Sequence, residues 1–239
     1  MQPFGGEGLS GTGPKAGGPL YLKRLAATAA ARVPSDERAA TLPTAPTPPT
    51  TRPPARPTPD PALLAALAAR GSDGAAVVDP DAYLDRCLGA LAALARRALP
   101  GPTGETNTLA FVARDTIACR AARDDDLLAQ AIAVLALGRR PRLRIDRLPS
   151  ALRTFADDWD EDVDRLPRLD ALLVALPGDA LSRTKEAIAA RPGPLVAVVP
   201  WTVDTEPAST LWRLVRERCE TVNTAAAGGN ASLMTLGEP

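Results

Sequence analysis

The chain's reactive side chains are few. Its three cysteines, Cys87, Cys119 and Cys219, lie far apart in the sequence, and histidine is absent altogether. Without an imidazole there is no Ser-His-Asp or Cys-His couple, and the usual first metal ligand is missing. A thiol serves as nucleophile only where a cation or helix N-terminus lowers its pKa and substrate can reach it. Cys87 falls on the apolar side of a helical pattern and Cys119 inside an apparent strand, both settings of inert core cysteines, and nothing around Cys219 argues otherwise. An odd number of cysteines with no CxxC pair fits neither a disulfide framework nor a zinc site and points to a reduced, cytoplasmic setting.

Two further stretches invite chemistry. Gly8 to Lys15 spells GLSGTGPK, but Pro14 separates the last glycine from Lys15 and Ala16 follows, so the Lys-Ser/Thr pair of a P-loop is not formed. Gly11, Gly13 and Ala16 match a GxGxxA dinucleotide fingerprint without the preceding strand it needs. Glycines at this density let a backbone approach a ligand or a neighbouring strand closely. The acidic run DDWDEDVD, Asp157 to Asp164, lacks the ligand spacing and central glycine of a calcium loop and reads as a solvated loop.

The elements that must position these residues change character along the chain. TLPTAPTPPTTRPPARPTPDP, residues 41–61, removes so many backbone donors that a stiff polyproline spacer is expected, with a Pro-rich ligand for a small recognition domain as the alternative. Ahead of it, residues 1–40 hold the glycine-rich stretch and a short aliphatic one, too little to fold alone. Beyond it, residues 62–70 and 79–99 read as helices, the second opening with Asp79 as N-cap and Pro80 at the first position. In the second, Tyr83, Cys87, Leu88, Leu91, Leu94, Ala95 and Ala98 form one core-facing stripe.

From residue 107 the pattern alternates: NTLAFVAR and DTIACRA as strands, DDLLAQAIAVLALG as a helix ending at Gly138, RLRI as a strand. Then LDALLVALP and PLVAVVP are apolar runs around the helix GDALSRTKEAIAAR, and EPASTLWRLVRER reads as a last helix. Apolar runs separated by helices predict parallel strands buried on both faces, hence an α/β layer domain over residues 62–222. Residues 223–239 combine Asn223, Gly228, Gly229, Asn230 and Ser232 with small apolar residues, which suits a tail lying tightly on another surface or a fraying terminus.

The 239 residues carry 28 basic and 28 acidic side chains, a net charge of +0, so the electrostatic footprint of a nucleic-acid or anionic-membrane binder is missing. No apolar run approaches a membrane span, and the glycine-rich start is not a secretion signal. With 45% hydrophobic but only 3% aromatic residues, the core is expected to be aliphatic and small-residue rich.

Both ends resemble one family. QPFGGEGLSGTGPKAGGPLYLKRL is similar to the end of the L-glutamate γ-semialdehyde dehydrogenase module of proline utilization A, a bifunctional proline-catabolic enzyme of the aldehyde dehydrogenase superfamily. VNTAAAGGNASLMTLG is similar to that family's C-terminal signature. Between them, GPTGETNTLAFVARDTIACRA, LLAQAIAVLALG and ARPGPLVAVV resemble the extra C-terminal domain of its longer members, which has an incomplete aldehyde-dehydrogenase-like, Rossmann-like parallel sheet and no catalysis of its own.

The resemblance implies a parent enzyme with an FAD-dependent proline dehydrogenase and an NAD-dependent aldehyde dehydrogenase. No GQxCS-like setting for the catalytic cysteine, and neither the catalytic glutamate nor the NAD site, is expected in this chain. It further implies that Phe4 contacts the aliphatic part of the semialdehyde. The domain and the tail, through Asn223, Gly228, Gly229, Asn230 and Ser232, would cover the dehydrogenase and its substrate tunnel, with the catalytic modules as partners in cis or in trans. Because Met1 stands inside a dehydrogenase motif, a truncated gene model or fragment is expected. The competing expectation is a free-standing nucleotide-binding or subunit-docking α/β protein.

Overall fold

Alternating apolar residues in DTIACRA and the unbroken apolar run ALLVA leave both strands only one stable home, the middle of a sheet covered on both faces. A computed structural model of the chain places them there; it describes residues 2–7, 9, 11, 13–30, 60–68, 79–102 and 104–223. Strands β3 (Ile117–Ala121), β4 (Arg142–Leu143), β5 (Asp157–Asp158), β6 (Ala171–Ala175) and β7 (Ala197–Pro200) form a five-stranded sheet of order β5-β4-β3-β6-β7, parallel throughout.

Side-chain alternation divides the core between the two faces. Cys119 and Leu173 point to one, against helices α3 (Pro80–Ala92) and α4 (Asp124–Ala136). Ala118, Leu172 and Val174 point to the other, with Ile188 of helix α5 (Gly178–Ala190) and Trp159. The α/β architecture predicted from the sequence is the one observed.

Local signals set most boundaries. Asp79 accepts hydrogen bonds from the Asp81 and Ala82 amides at 3.1 and 3.3 Å, capping α3 ahead of Pro80. Gly138, at φ 68°, ends α4: its amide reaches Leu135 O, and that of Arg139 reaches Val134 O. Tyr83, Cys87, Leu88 and Leu94 of the predicted stripe are buried, Leu91 and Ala95 half-buried and Ala98 exposed. The helix expected to reach residue 99 stops at Ala92, and Arg97–Leu99 is instead strand β1. Helices α1 (Pro19–Ala30) and α2 (Pro61–Ala68) complete the N-terminal part, α1 arising from the short aliphatic stretch. The RLRI strand shortens to two residues, because Ile145 already begins a 3-10 turn.

Two expectations need correction. NTLAFVAR does not join the parallel layer: strand β2 (Glu105–Ala113) is the centre of a separate antiparallel sheet of order β1-β2-β8. EPASTLWRLVRER is not one helix: Pro207–Thr210 forms the single turn α6, Leu211–Leu214 a 3-10 turn, and Val215–Asn223 is strand β8. Leu211, Leu214 and Val215 imitate helical spacing, but β2 offers nine residues of register, Glu105 opposite Asn223 through Ala113 opposite Val215, and the sheet wins over propensity. The acidic run holds the two-residue β5 rather than a bare loop. Residues 41–59 of the linker and the tail beyond Asn223 lie outside the described residues, while Pro61 at the linker's end already opens α2.

Asp170, just before β6, joins the two sheets. Its carboxylate accepts from the Thr116 amide at 2.9 Å and from Arg216 of β8 at 2.7 Å, with Arg168 at 3.3 Å. Burial works against its charge, yet the Thr116 N–H and the Arg216 and Arg168 guanidiniums outweigh that cost and hold its pKa below the ordinary value. A carboxylate so depressed stabilises the fold above its unfolded pKa of about 3.9, and that contribution is lost as pH falls through this value toward the lower folded one. Asp170→Asn should cost about 1–2 kcal/mol at pH 7. It should also flatten the loss of stability below about pH 4, read from urea melts at several pH values.

Candidate functional site

Strand β8 and its partner β2 present one face to the N-terminal segment. Residues opposite one another in an antiparallel pair share a face, so Glu217, Cys219 and Thr221 stand beside Phe111, Leu109 and Asn107. Onto this face the glycine-rich segment is fastened. Glu217 accepts the Lys15 amide at 2.7 Å and the Leu20 amide at 3.3 Å, the second in the first turn of α1. Its carboxylate therefore takes an orphan donor of the helix start and sits at the positive end of the dipole.

Around this clamp, Cys219 Sγ donates to Pro3 O at 3.4 Å, and Gln2 donates to Asn107 and Thr221. Thr221 in turn donates to Asn107 at 2.8 Å. Glu7 pairs with the buried Arg114, whose Nε donates to Arg213 O at 2.9 Å. Within the segment, Phe4 and Ala16 exchange backbone hydrogen bonds of 3.0 and 2.8 Å, and Lys15 Nζ donates to Gly5 O at 2.8 Å. Gly11 is required here by close approach: a Cβ would meet Gly6 O at 2.6 Å. The glycines thus let the segment fold back on itself and lie against a strand, one of the two uses their density allowed.

Burial is the main influence on the titrating groups of this face. It pushes the Glu217 carboxyl above its ordinary pKa, against the stabilising Lys15 and Leu20 amides and the nearby Lys15 charge, while Glu7 reinforces the rise. It also raises the Cys219 thiol, with Lys15 acting in the opposite sense. Cys87 is pushed up to about 12 and Cys119 higher still, both by burial, so these thiols are held protonated and away from solvent, as expected of core cysteines.

Of the residues singled out from the sequence, the structure places Phe4 on the segment, 84% exposed, and Asn223 at the last position of β8, opposite Glu105. Gly228, Gly229, Asn230 and Ser232 lie outside the described residues. Sequence reasoning missed Glu217, Arg114 and Asn107. The signal for Glu217 was its i±2 relation to Val215 and Cys219, which puts a carboxylate on the inward face once RERCETVN is read as a strand.

The other place to look in an open parallel sheet is the crevice at the carboxyl ends of the strands, where the chain changes direction. Here it lies between β3, which continues into α4 on one face, and β6, which continues into α5 on the other. The protein's own side chains occupy it. Arg147 donates to Ala121 O and Ala122 O at 2.7 and 3.1 Å and to Asp124 at 2.8 Å. Glu161, at φ 67°, pairs with Arg120 at 3.1 Å. Asp124, Asp125 and Asp126 in the first turn of α4 set negative charge where a pyrophosphate would need positive potential. These residues do not fit a dinucleotide.

The acidic run is satisfied by arginines: Arg140 reaches Asp157 at 2.8 Å and Arg165 reaches Asp160 at 2.6 Å. Among the described residues there is no cluster of three or more His, Cys, Asp or Glu side chains placed to hold a metal ion, and no helix long and apolar enough to cross a membrane.

No family model matches the chain. It is 42% identical to the bifunctional protein PutA of Salmonella typhimurium and 41% identical to that of Escherichia coli, in both cases over 99% of its own length. In each case it spans 18% of the relative, so the match is to a segment of a far longer protein. Among solved structures, proline utilization A from Corynebacterium freiburgense superimposes with a TM-score of 0.51 at 16% identity, covering 93% of this chain and 19% of that one, which is a likeness of fold. The chain is therefore a relative of one segment of the bifunctional PutA proteins, the family that both of its ends resemble.

Proposed function

We propose that this chain is the covering and scaffolding part of a proline-catabolic enzyme and carries no catalysis of its own. In the parent enzyme, FAD serves the proline dehydrogenase module, and the aldehyde dehydrogenase module oxidises L-glutamate γ-semialdehyde, derived from pyrroline-5-carboxylate, to glutamate with NAD. Residues 1–40 end that dehydrogenase, residues 41–61 link, residues 62–222 form the non-catalytic domain, and residues 223–239 dock. Phe4 contacts the aliphatic part of the semialdehyde. Asn223 and the Gly228, Gly229, Asn230 and Ser232 that follow lay the tail over the dehydrogenase, helping to close the tunnel between active sites.

One observation carries this reading: the segment resembling the end of the dehydrogenase is clamped onto β8 by Glu217 and beside the end of β2 by the Glu7–Arg114 pair, so it is fastened to the antiparallel sheet that Asp170 and Arg216 tie to the α/β layer. The self-filled crevice and the protonated core thiols support a part that lends surface rather than chemistry.

The test uses the purified chain and a PutA protein lacking the matching segment. Semialdehyde and NAD added to the chain alone should yield no NADH above background, and the chain should co-purify with the shortened enzyme. Truncation after Val222 should abolish that complex. NADH production by the chain alone, or equal capture with and without the tail, would overturn the reading.

A further inference from the structure

A cleft of about 510 Å³ opens where the three-stranded sheet meets α2, α3 and the C-terminal end of α4. Small-ligand sites typically span about 300–1,000 Å³ with mostly apolar walls. Here the walls are Leu63, Leu91, Leu135, Phe111, Phe155 and Val215, drawn from separate elements of both sheets' packing layers. Arg97 stacks 5.4 Å from the Phe111 ring centroid and fixes that wall. The switch-point crevice lies at the opposite end of α4, a helix of 13 residues, so the two places are about 20 Å apart.

Three arginines stand at the rim, each paired on one side with a carboxylate: Arg96 with Glu220, Arg139 with Asp115 and Arg140 with Asp157. Arg96, Arg139 and Arg140 line the cleft, against Asp60 as the one lining carboxylate among the described residues. Each guanidinium keeps donors in hand. Arg96 uses one terminal nitrogen, toward Thr108 and Glu220, both at 3.1 Å, and its side chain is 60% exposed. Arg140 spends Nε on Asp157 and one terminal nitrogen on Ala156 O. Arg139 spends one on Asp115 and Ala113 O, while its Nε is buried without a partner. Guanidiniums with spare donors at the mouth of an apolar cleft select a planar anion with an apolar body.

We propose that this cleft binds a small amphiphilic carboxylate, its chain against Phe111, Phe155 and Leu135 and its head among Arg96, Arg139 and Arg140. The inference is independent of the docking role, since none of the tail residues takes part.

Isothermal titration of the full 239-residue chain with decanoate, and with decanol as the neutral counterpart of the same length, tests it. Saturable one-site binding of decanoate is expected, with decanol weaker by about tenfold or more, as one lost charge-assisted contact implies. Arg96→Gln, a change at a largely exposed side chain, should weaken decanoate about tenfold, leave decanol unchanged and leave the melting temperature in place. Arg140→Gln serves as a second variant at the rim. Absence of saturable decanoate binding, equal affinity for decanol, or indifference of decanoate to both substitutions would overturn the proposal.

Discussion

Trp201→Ala is expected to lower the unfolding free energy by about 3–5 kcal/mol, the range for emptying a large aromatic site in a close-packed core. Trp201 follows β7 and is fully buried, the largest such side chain among the described residues. Its loss removes more than volume. The indole N–H donates to Tyr83 OH at 2.9 Å, and Tyr83 OH donates to Thr205 O at 3.2 Å, tying α3 to the loop before α6. Its backbone carbonyl, which the substitution keeps, accepts from the buried Gln130 of α4 at 2.8 Å. Trp201→Phe separates the two contributions: it keeps much of the ring but deprives Tyr83 of its donor, and should cost about 1–2 kcal/mol beyond the lost volume. Chemical denaturation monitored by far-ultraviolet circular dichroism decides the matter, and a cost below about 1 kcal/mol for the alanine variant would show that this core does not depend on the indole.

Glu217→Ala is the second large effect. It leaves the Lys15 and Leu20 amides without their acceptor and frees the glycine-rich segment from β8. Two lost bonds to a charged acceptor amount to about 3–6 kcal/mol, so hydrogen exchange at those two amides should accelerate by roughly a hundredfold or more while the parallel sheet keeps its protection. The pH dependence has the opposite sign to that of Asp170. Because burial raises the Glu217 pKa, its contribution is fully present below the ordinary carboxylate value of about 4.3 and diminishes as pH rises through the higher folded value. Glu217→Gln removes that decline. Unchanged exchange at Lys15 and Leu20 in the alanine variant would mean that the segment is held by Glu7 and Gln2 instead.

The parallel layer was legible because its strands are buried on both faces and its helices carry their own boundaries: Asp79 and Pro80 at one start, Gly138 at one end. The antiparallel sheet was not. Leu211 and Leu214 just ahead of its last strand form a helical spacing with Val215, and the nine-residue partner that overrides this spacing lies more than a hundred residues earlier. The burial of Cys87 and Cys119 could be read from apolar neighbours alone. Glu217 could not, since a carboxylate in RERCETVN shows its inward face only once the stretch is read as a strand rather than the end of a helix. Phe4 was picked out by resemblance alone, and the structure places it exposed on the glycine-rich segment.

The clamp also sets a timetable for synthesis. Lys15 and Gln2 find their partners in Glu217 and Thr221, 202 and 219 residues later. Ribosomes add about 5–20 residues per second, so the glycine-rich segment waits on the order of ten seconds or more before its strand exists. Contacts of such separation also pay the largest loop-closure entropy and form late. The glycine-rich start must therefore remain uncommitted while the parallel layer assembles behind it, and its low apolar content suits a nascent segment that has to avoid premature partners.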